Sequence, residues 1–136
     1  GAGLFHGAGR CNQCHVTAAQ IGDAPRNIGL DADNSADIGV NPPGVGQFKT
    51  PSLRNAEVRD GYMHDGRFAT LEEVVDHYDH GVHRTATLDP NLAKHPAAGL
   101  GLGAADKAAL IAFLRTLTDQ AFLRPVSISA ASSSNP

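Results

Sequence analysis

Apolar positions along this chain gather at helical spacing in two places and are scattered elsewhere. Leu71, Val74, Val75 and Tyr78 fall at i, i+3, i+4 and i+7, which puts them on one face of an α-helix over residues 70–80. Thr70 opens this run and Glu73 stands three residues on. That is a capping box, in which a hydroxyl and a carboxylate satisfy backbone N–H groups the first turn leaves free, stabilising the helix by about 1 kcal/mol. Gly81 suits the position just past the helix end. At about 100° per residue, Tyr78 sits mid-stripe, His77 lies to one side, and His80 shares the polar face with Glu73 and Asp76. From about 104 to 118, Leu110, Phe113, Leu114 and Leu117 repeat the stripe. Leu4 and Phe5 predict a short leading helix. Gly7 and Gly9 leave it weak alone, so packing must hold it.

Between these helices the pattern is polar. Residues 20–47 are rich in Gly, Asp, Asn and Pro, with turn signals at Gly22-Asp23 and Asn41-Pro42-Pro43-Gly44. A loop this long in a compact domain is usually functional or wrapped around something. From Pro125 onward Ser and Ala dominate, predicting a tail over 125–136 that is poorly ordered or laid across a neighbour, after a folded domain over 1–124. No run reads as a strand and no internal repeat is visible. The 136 residues suit one domain. Eleven basic against fourteen acidic residues give a formal charge of −3, with no basic patch, which argues against nucleic acid. No apolar run approaches the roughly 20 residues of a membrane span.

The chemistry concentrates in Cys11-Asn12-Gln13-Cys14-His15. C-x-x-C-H is the attachment signal of a c-type haem: the thiols form thioethers with the porphyrin vinyl groups, and the next residue offers an imidazole to the iron. Half a zinc site would need a second cysteine pair, and a redox dithiol would need a βαβ pattern nearby; neither is present. Both cysteines are thereby used, so no disulfide is expected. The fold implied is all-α, a class I cytochrome c-like domain with long loops around one haem and its last helix packed on its first. Attachment of this kind takes place outside the bacterial cytoplasm. A periplasmic location follows, with a targeting segment removed ahead of Gly1 or a longer chain of which this is part.

His15 takes one axial position of the iron, and the other decides function. Methionine gives an electron carrier of raised potential, a vacant site allows ligand activation, and tyrosine is a further ligand type. Three residues are candidates. Met63 is the only methionine, within Gly61-Tyr62-Met63-His64-Asp65-Gly66, and is otherwise core filler. Tyr78 lies on the inward stripe. His64 is either a ligand or a structural histidine. The residues alone leave the three open.

Phe48-Lys49-Thr50-Pro51-Ser52-Leu53-Arg54-Asn55, then Tyr62-Met63-His64-Asp65-Gly66, then Thr70-Leu71-Glu72-Glu73-Val74-Val75 resemble the bacterial di-haem cytochrome c peroxidase family. More narrowly they resemble its methylamine-dehydrogenase maturase branch. The likeness covers roughly residues 3–118 and corresponds to the second, C-terminal haem domain of that family. It implies a distal ligand fourteen residues after the motif histidine, which counted from His64 is Tyr78. The peroxidases carry methionine there and the maturase branch tyrosine. The resemblance therefore favours Tyr78 over Met63, and a phenolate oxygen there would favour ferric or higher oxidation states.

The same resemblance implies a calcium ion between the two haem domains, held here partly by the backbone carbonyls of Arg59 and Gly61, where the family usually has Thr and Pro. His64 is expected to be structural or bonded to a propionate. Arg54 either pairs with a propionate or forms a surface ion pair with Glu57 or Asp60. His6, His77, His80, His83 and His95 are expected at the surface, with His80, His83, Asp76 and Asp79 a chance metal cluster. The maturase has a surface tryptophan two residues before its first haem cysteine. Here that position is Gly9 and the chain has no Trp, which weakens the case for oxidation of a large protein substrate.

Three functional readings follow. The chain is the haem domain of a di-haem peroxidase-like oxidoreductase. It relays oxidising equivalents to a partner haem where hydrogen peroxide is reduced, and receives electrons from a small donor protein. Alternatively it is a free-standing mono-haem electron-transfer cytochrome with a His/Met iron, or a sensor whose sixth ligand is displaced.

Overall fold

The structure is a computed structural model that describes every residue except Thr17, Ala19, Gln20, Asp23, Asn41, Pro43, 96–98 and 125–136. The expected tail, and parts of both expected turns, lie outside the described residues. The rest is mostly helix and loop with a small two-stranded sheet.

The apolar stripes do what their spacing predicts. Helix α1 (Ala2–His6) contributes Phe5, α2 (Leu71–Asp76) contributes Leu71 and Val75, and α4 (Ala104–Arg115) contributes Leu110, Ile111 and Leu114. With Ala56 these form one buried cluster, against which Cys11, Leu53, Tyr62, Leu102, Phe113 and Leu117 pack. Burying side chains of this size stabilises the fold by about 1.5–3 kcal/mol each. The first helix lies on the last, with the rings of Phe5 and Phe113 at 5.2 Å. Beyond Arg115 the chain tightens into i→i−3 bonds, Thr116 to Phe113 and Leu117 to Leu114, so α4 ends before residue 118. The capping box of α2 is complete. The Glu73 N–H donates to Thr70 Oγ1 at 3.2 Å and Glu73 Oε2 accepts from the Thr70 N–H at 2.9 Å.

Three features depart from the sequence reading. The helix expected over 70–80 changes at His77 into a π-turn, His77–Gly81, which contains Gly81 rather than ending before it. The element goes no further because its last carbonyls are taken from elsewhere in the chain: the N–H of Leu100 donates to Tyr78 O at 2.8 Å and that of Gly101 to Asp79 O at 3.2 Å. Second, no strand was expected, yet β1 (Pro25–Arg26) pairs antiparallel with β2 (Phe48–Lys49), Pro25 opposite Lys49 and Arg26 opposite Phe48. Two-residue strands are too short to leave an alternating pattern. Third, α3 (Pro90–Ala93) was unforeseen, although Asp89-Pro90 is a cap followed by a proline at the first helical position. Asp89 accepts the Asn91 N–H at 2.8 Å.

The long polar segment is a loop, but a stitched one. Asn27 is 2% exposed; its amide donates to Val45 O, Thr85 Oγ1 and Thr87 Oγ1 while its oxygen accepts the Gly29 N–H. Arg26 reaches Asp89 at 2.8 Å, and Arg67 grips Asp31 through two 2.8 Å bonds.

Candidate functional site

The cysteine turn is built from backbone outward. After α1, the Gly9 N–H returns to Leu4 O at 2.8 Å and Arg10 takes a left-handed conformation (φ 50°). Residues Cys11–Gln13 then form a 3₁₀ turn, with the N–H groups of Cys14 and His15 both donating to Cys11 O. Both cysteines are half-buried, one turn apart, and neither is in a disulfide. Cys11 packs on the apolar cluster, and burial pushes its thiol up to about 11, a nearby backbone bond opposing and Cys14 adding to the rise. Gly9 is buried, and a Cβ there would stand 2.8 Å from Leu4 O. The position that carries a tryptophan in the maturase branch thus has no room for a side chain here.

Tyr78 comes from the π-turn. Burial raises its phenol well above the ordinary range, and the Cys14 and Cys11 thiols are close enough to raise it further. Its hydroxyl has no hydrogen-bond partner among the described residues. Tyr78 as a whole is half-buried, with its phenol near both thiols. Thiols for the vinyl groups, a histidine next in the chain and an oxygen able to meet a metal cation are a donor set that fits a covalently held haem.

The other candidates are placed differently. Met63 is half-buried in a left-handed turn (φ 69°). His64 stacks on Phe48 with ring centres 3.7 Å apart and lies 3.4 Å from Asp37. Arg54 is exposed and, among the described residues, pairs with neither Glu57 nor Asp60; Glu57 instead meets Arg115 at 3.6 Å. Arg59 donates to Ser52 O, and Gly61 is half-buried. His6, His80 and His83 are exposed.

Of the histidines expected at the surface, His77 is buried and His95 half-buried. His77 is 5% exposed, donates from Nε2 to Ile28 O at 3.0 Å and touches the Tyr78 ring edge-on. Burial lowers its basicity, with the Ile28 bond opposing. It lies inside because the loop carrying Ile28 and the Phe68 ring cover this side of the turn. His95 is half-buried, with Nε2 enclosed and unpartnered. The proposed metal cluster forms only in part. Asp76, Asp79 and His80 converge without His83, and the Lys107 ammonium already sits on Asp76 (2.8 Å) and Asp79 (3.2 Å). Burial of Asp79 opposes its charge, but His80, the Leu102 N–H and Lys107 outweigh it and hold the carboxyl below its usual range. Nothing in the local pattern marks Asp79 as a buried anchor, since it follows Tyr78 outside the apolar stripe.

The fold resembles a MauG-like cytochrome. A crystal structure of a MauG-like protein associated with microbial copper homeostasis superposes with a TM-score of 0.67 at 33% identity, over 90% of this chain and 47% of that one. The chain's homologues are MauG and the di-haem cytochrome c peroxidases. Methylamine utilization protein MauG of Methylorubrum extorquens is 36% identical over 122 residues, 86% of this chain and 33% of the relative. Cytochrome-c peroxidase IdrP1 of a Pseudomonas species is 46% identical over 78 residues, 57% of this chain and 19% of the relative. The chain thus spans a third or less of these relatives' length. No family model matches it. Among the described residues no helix is long and apolar enough to cross a membrane.

Proposed function

We propose that residues 1–124 form a class I cytochrome c-like domain carrying one covalent haem. In this reading it is the electron-relay half of a periplasmic di-haem peroxidase-like oxidoreductase. Cys11 and Cys14 hold the haem, His15 ligates one side of the iron and Tyr78 the other. When bound, the haem supplies one-electron redox chemistry. The observation that carries the reading is the Tyr78 phenol placed near the Cys11 and Cys14 thiols of the C-x-x-C-H turn. Its apolar setting opposes a free phenolate, so the anion forms where a cation meets it. Such a hard oxygen donor favours ferric and higher states, suited to storing oxidising equivalents. Peroxide reduction is assigned to a second haem on another domain or chain, with electrons supplied by a small protein. The coverage of the relatives supports this division: the match accounts for only one part of each. A calcium ion at the junction, on the carbonyls of Arg59 and Gly61, belongs to the same reading.

Replacing Tyr78 with Phe is expected to change the ferric absorption and EPR spectra of the haem-loaded protein. An unchanged ligand field removes Tyr78 as ligand. Intact mass and gel filtration of the native preparation should show a second haem-bearing polypeptide or domain. A lone 14.1 kDa species with one haem and no peroxide turnover would overturn the relay role.

A further inference from the structure

We propose that Asp79, clamped between Lys107 and the Leu102 N–H, is a positioning residue for Tyr78, acting through the π-turn His77–Gly81. The inference rests on the reading of Tyr78 as iron ligand. Three successive residues of this turn are engaged with three separate parts of the molecule. His77 is tied to Ile28 O in the long loop. Tyr78 is directed toward Cys14 and Cys11. Asp79 accepts from the Leu102 N–H and lies 3.2 Å from Lys107 Nζ on α4. π-Turns are rare and occur mostly at functional sites, because widening the helix costs backbone bonding that something else must replace. Here the replacement is visible. Leu100 and Gly101 donate to the carbonyls of Tyr78 and Asp79, and Gly99 lies so close that a Cβ on it would overlap both carbonyl oxygens.

Fold stability alone is a weak reason for this arrangement. A carboxylate–ammonium pair with one partner open to solvent adds little stability; what it can fix is orientation. Asp79 is 8% exposed and one peptide unit from Tyr78. Whatever sets the carboxylate sets the Tyr78 Cα, and through it the reach of the phenol. The Lys107 ammonium also bridges to Asp76, so the end of α2 and the π-turn are referenced to one point on α4.

The test uses the full haem-loaded chain and compares ferric absorption and EPR spectra with thermal melts. Asp79→Asn and Gly99→Ala are expected to lose the single tyrosinate-type ferric signal and give two populations. Lys107→Gln should do the same more weakly, and Lys107→Arg should restore one population. Leu110→Ala, which weakens the core without touching the turn, should lower the melting temperature and keep the single signal. Where Asp79→Asn yields no folded protein, the Lys107 pair decides. The inference is overturned if Asp79→Asn and Lys107→Gln keep the parent spectrum while Tyr78→Phe alters it, or if Leu110→Ala splits the signal equally. A silent Tyr78→Phe sinks the ligand reading itself, and this inference with it.

Discussion

Two regions of the domain are held by different kinds of contact. Where α1, α2 and α4 meet, Phe5, Leu71, Val75, Leu110, Ile111 and Leu114 form one apolar cluster. Where residues 25–49 meet residues 82–95, the partly buried contacts include Asn27 to Thr85 and Thr87, and Arg26 to Asp89. Leu30, Val82 and Leu88 are the buried apolar side chains there. Apolar burial is non-directional and tolerates small shifts, whereas each hydrogen bond demands its own geometry. The cysteine turn grows from the first region and Tyr78 from the border of the second. The two sides of the candidate haem site therefore rest on different physics.

Substitutions can set the two regions against each other. Leu110→Ala leaves a cavity in the first and should cost about 2–5 kcal/mol by chemical denaturation. Asn27→Ala removes a side chain that serves four partners in the second, and should cost about 2–3 kcal/mol through the groups left unpaired. A loss below that of an ordinary surface substitution would mean the polar stitching does not hold that half. Arg67→Gln, at a partly exposed bidentate pair with Asp31, should cost about 1 kcal/mol or less and shrink further in high salt. A salt-independent loss would place that pair among the buried contacts. The smallest effect belongs to the α2 cap. Bonds to the N–H groups of Ala69 and Thr70 and to the Thr70 hydroxyl lower the Glu73 carboxyl in the folded state. That stabilisation is complete above the unfolded group's range and is lost as pH falls through the folded value. The melting-temperature difference between the parent and Glu73→Gln should therefore be constant at neutral pH and fade in acid. A difference that persists in acid would show that the charge is irrelevant to the cap.

The same contrast explains what could be read in the sequence. The cluster was legible because helical burial repeats every three or four residues, and Phe5, Leu71, Leu110 and Leu114 obey that period. Ile111 extends the buried face one position beyond the stripe. Tyr78 was legible as inward-facing, but the π-turn that presents it was not, since its last carbonyls are held by the N–H groups of Leu100 and Gly101, some twenty residues away. His77 and Asp79 were misread or missed for the same reason: their burial depends on Ile28, Leu102 and Lys107, partners that no local pattern announces. The two-residue strands carry no period at all. Asp89-Pro90 does carry a local signal for α3, a cap followed by a proline at the first helical position.

The contact of α1 with α4 joins nearly the two extremes of the described chain, Phe5 against Phe113. Mechanically it is a clasp. Tension on the N-terminal side would load this contact before any hydrogen bond between residues 25–49 and 82–95, while on the other side the bonds of Leu117 and Asp119 to Asn55 share the load. Opening the clasp would pull α1 off the core and drag the Cys11–His15 turn with it, while the segment carrying Tyr78 stayed stitched in place. A domain built this way is expected to yield at its cysteine side, and a pulling experiment would see that side release as the first event.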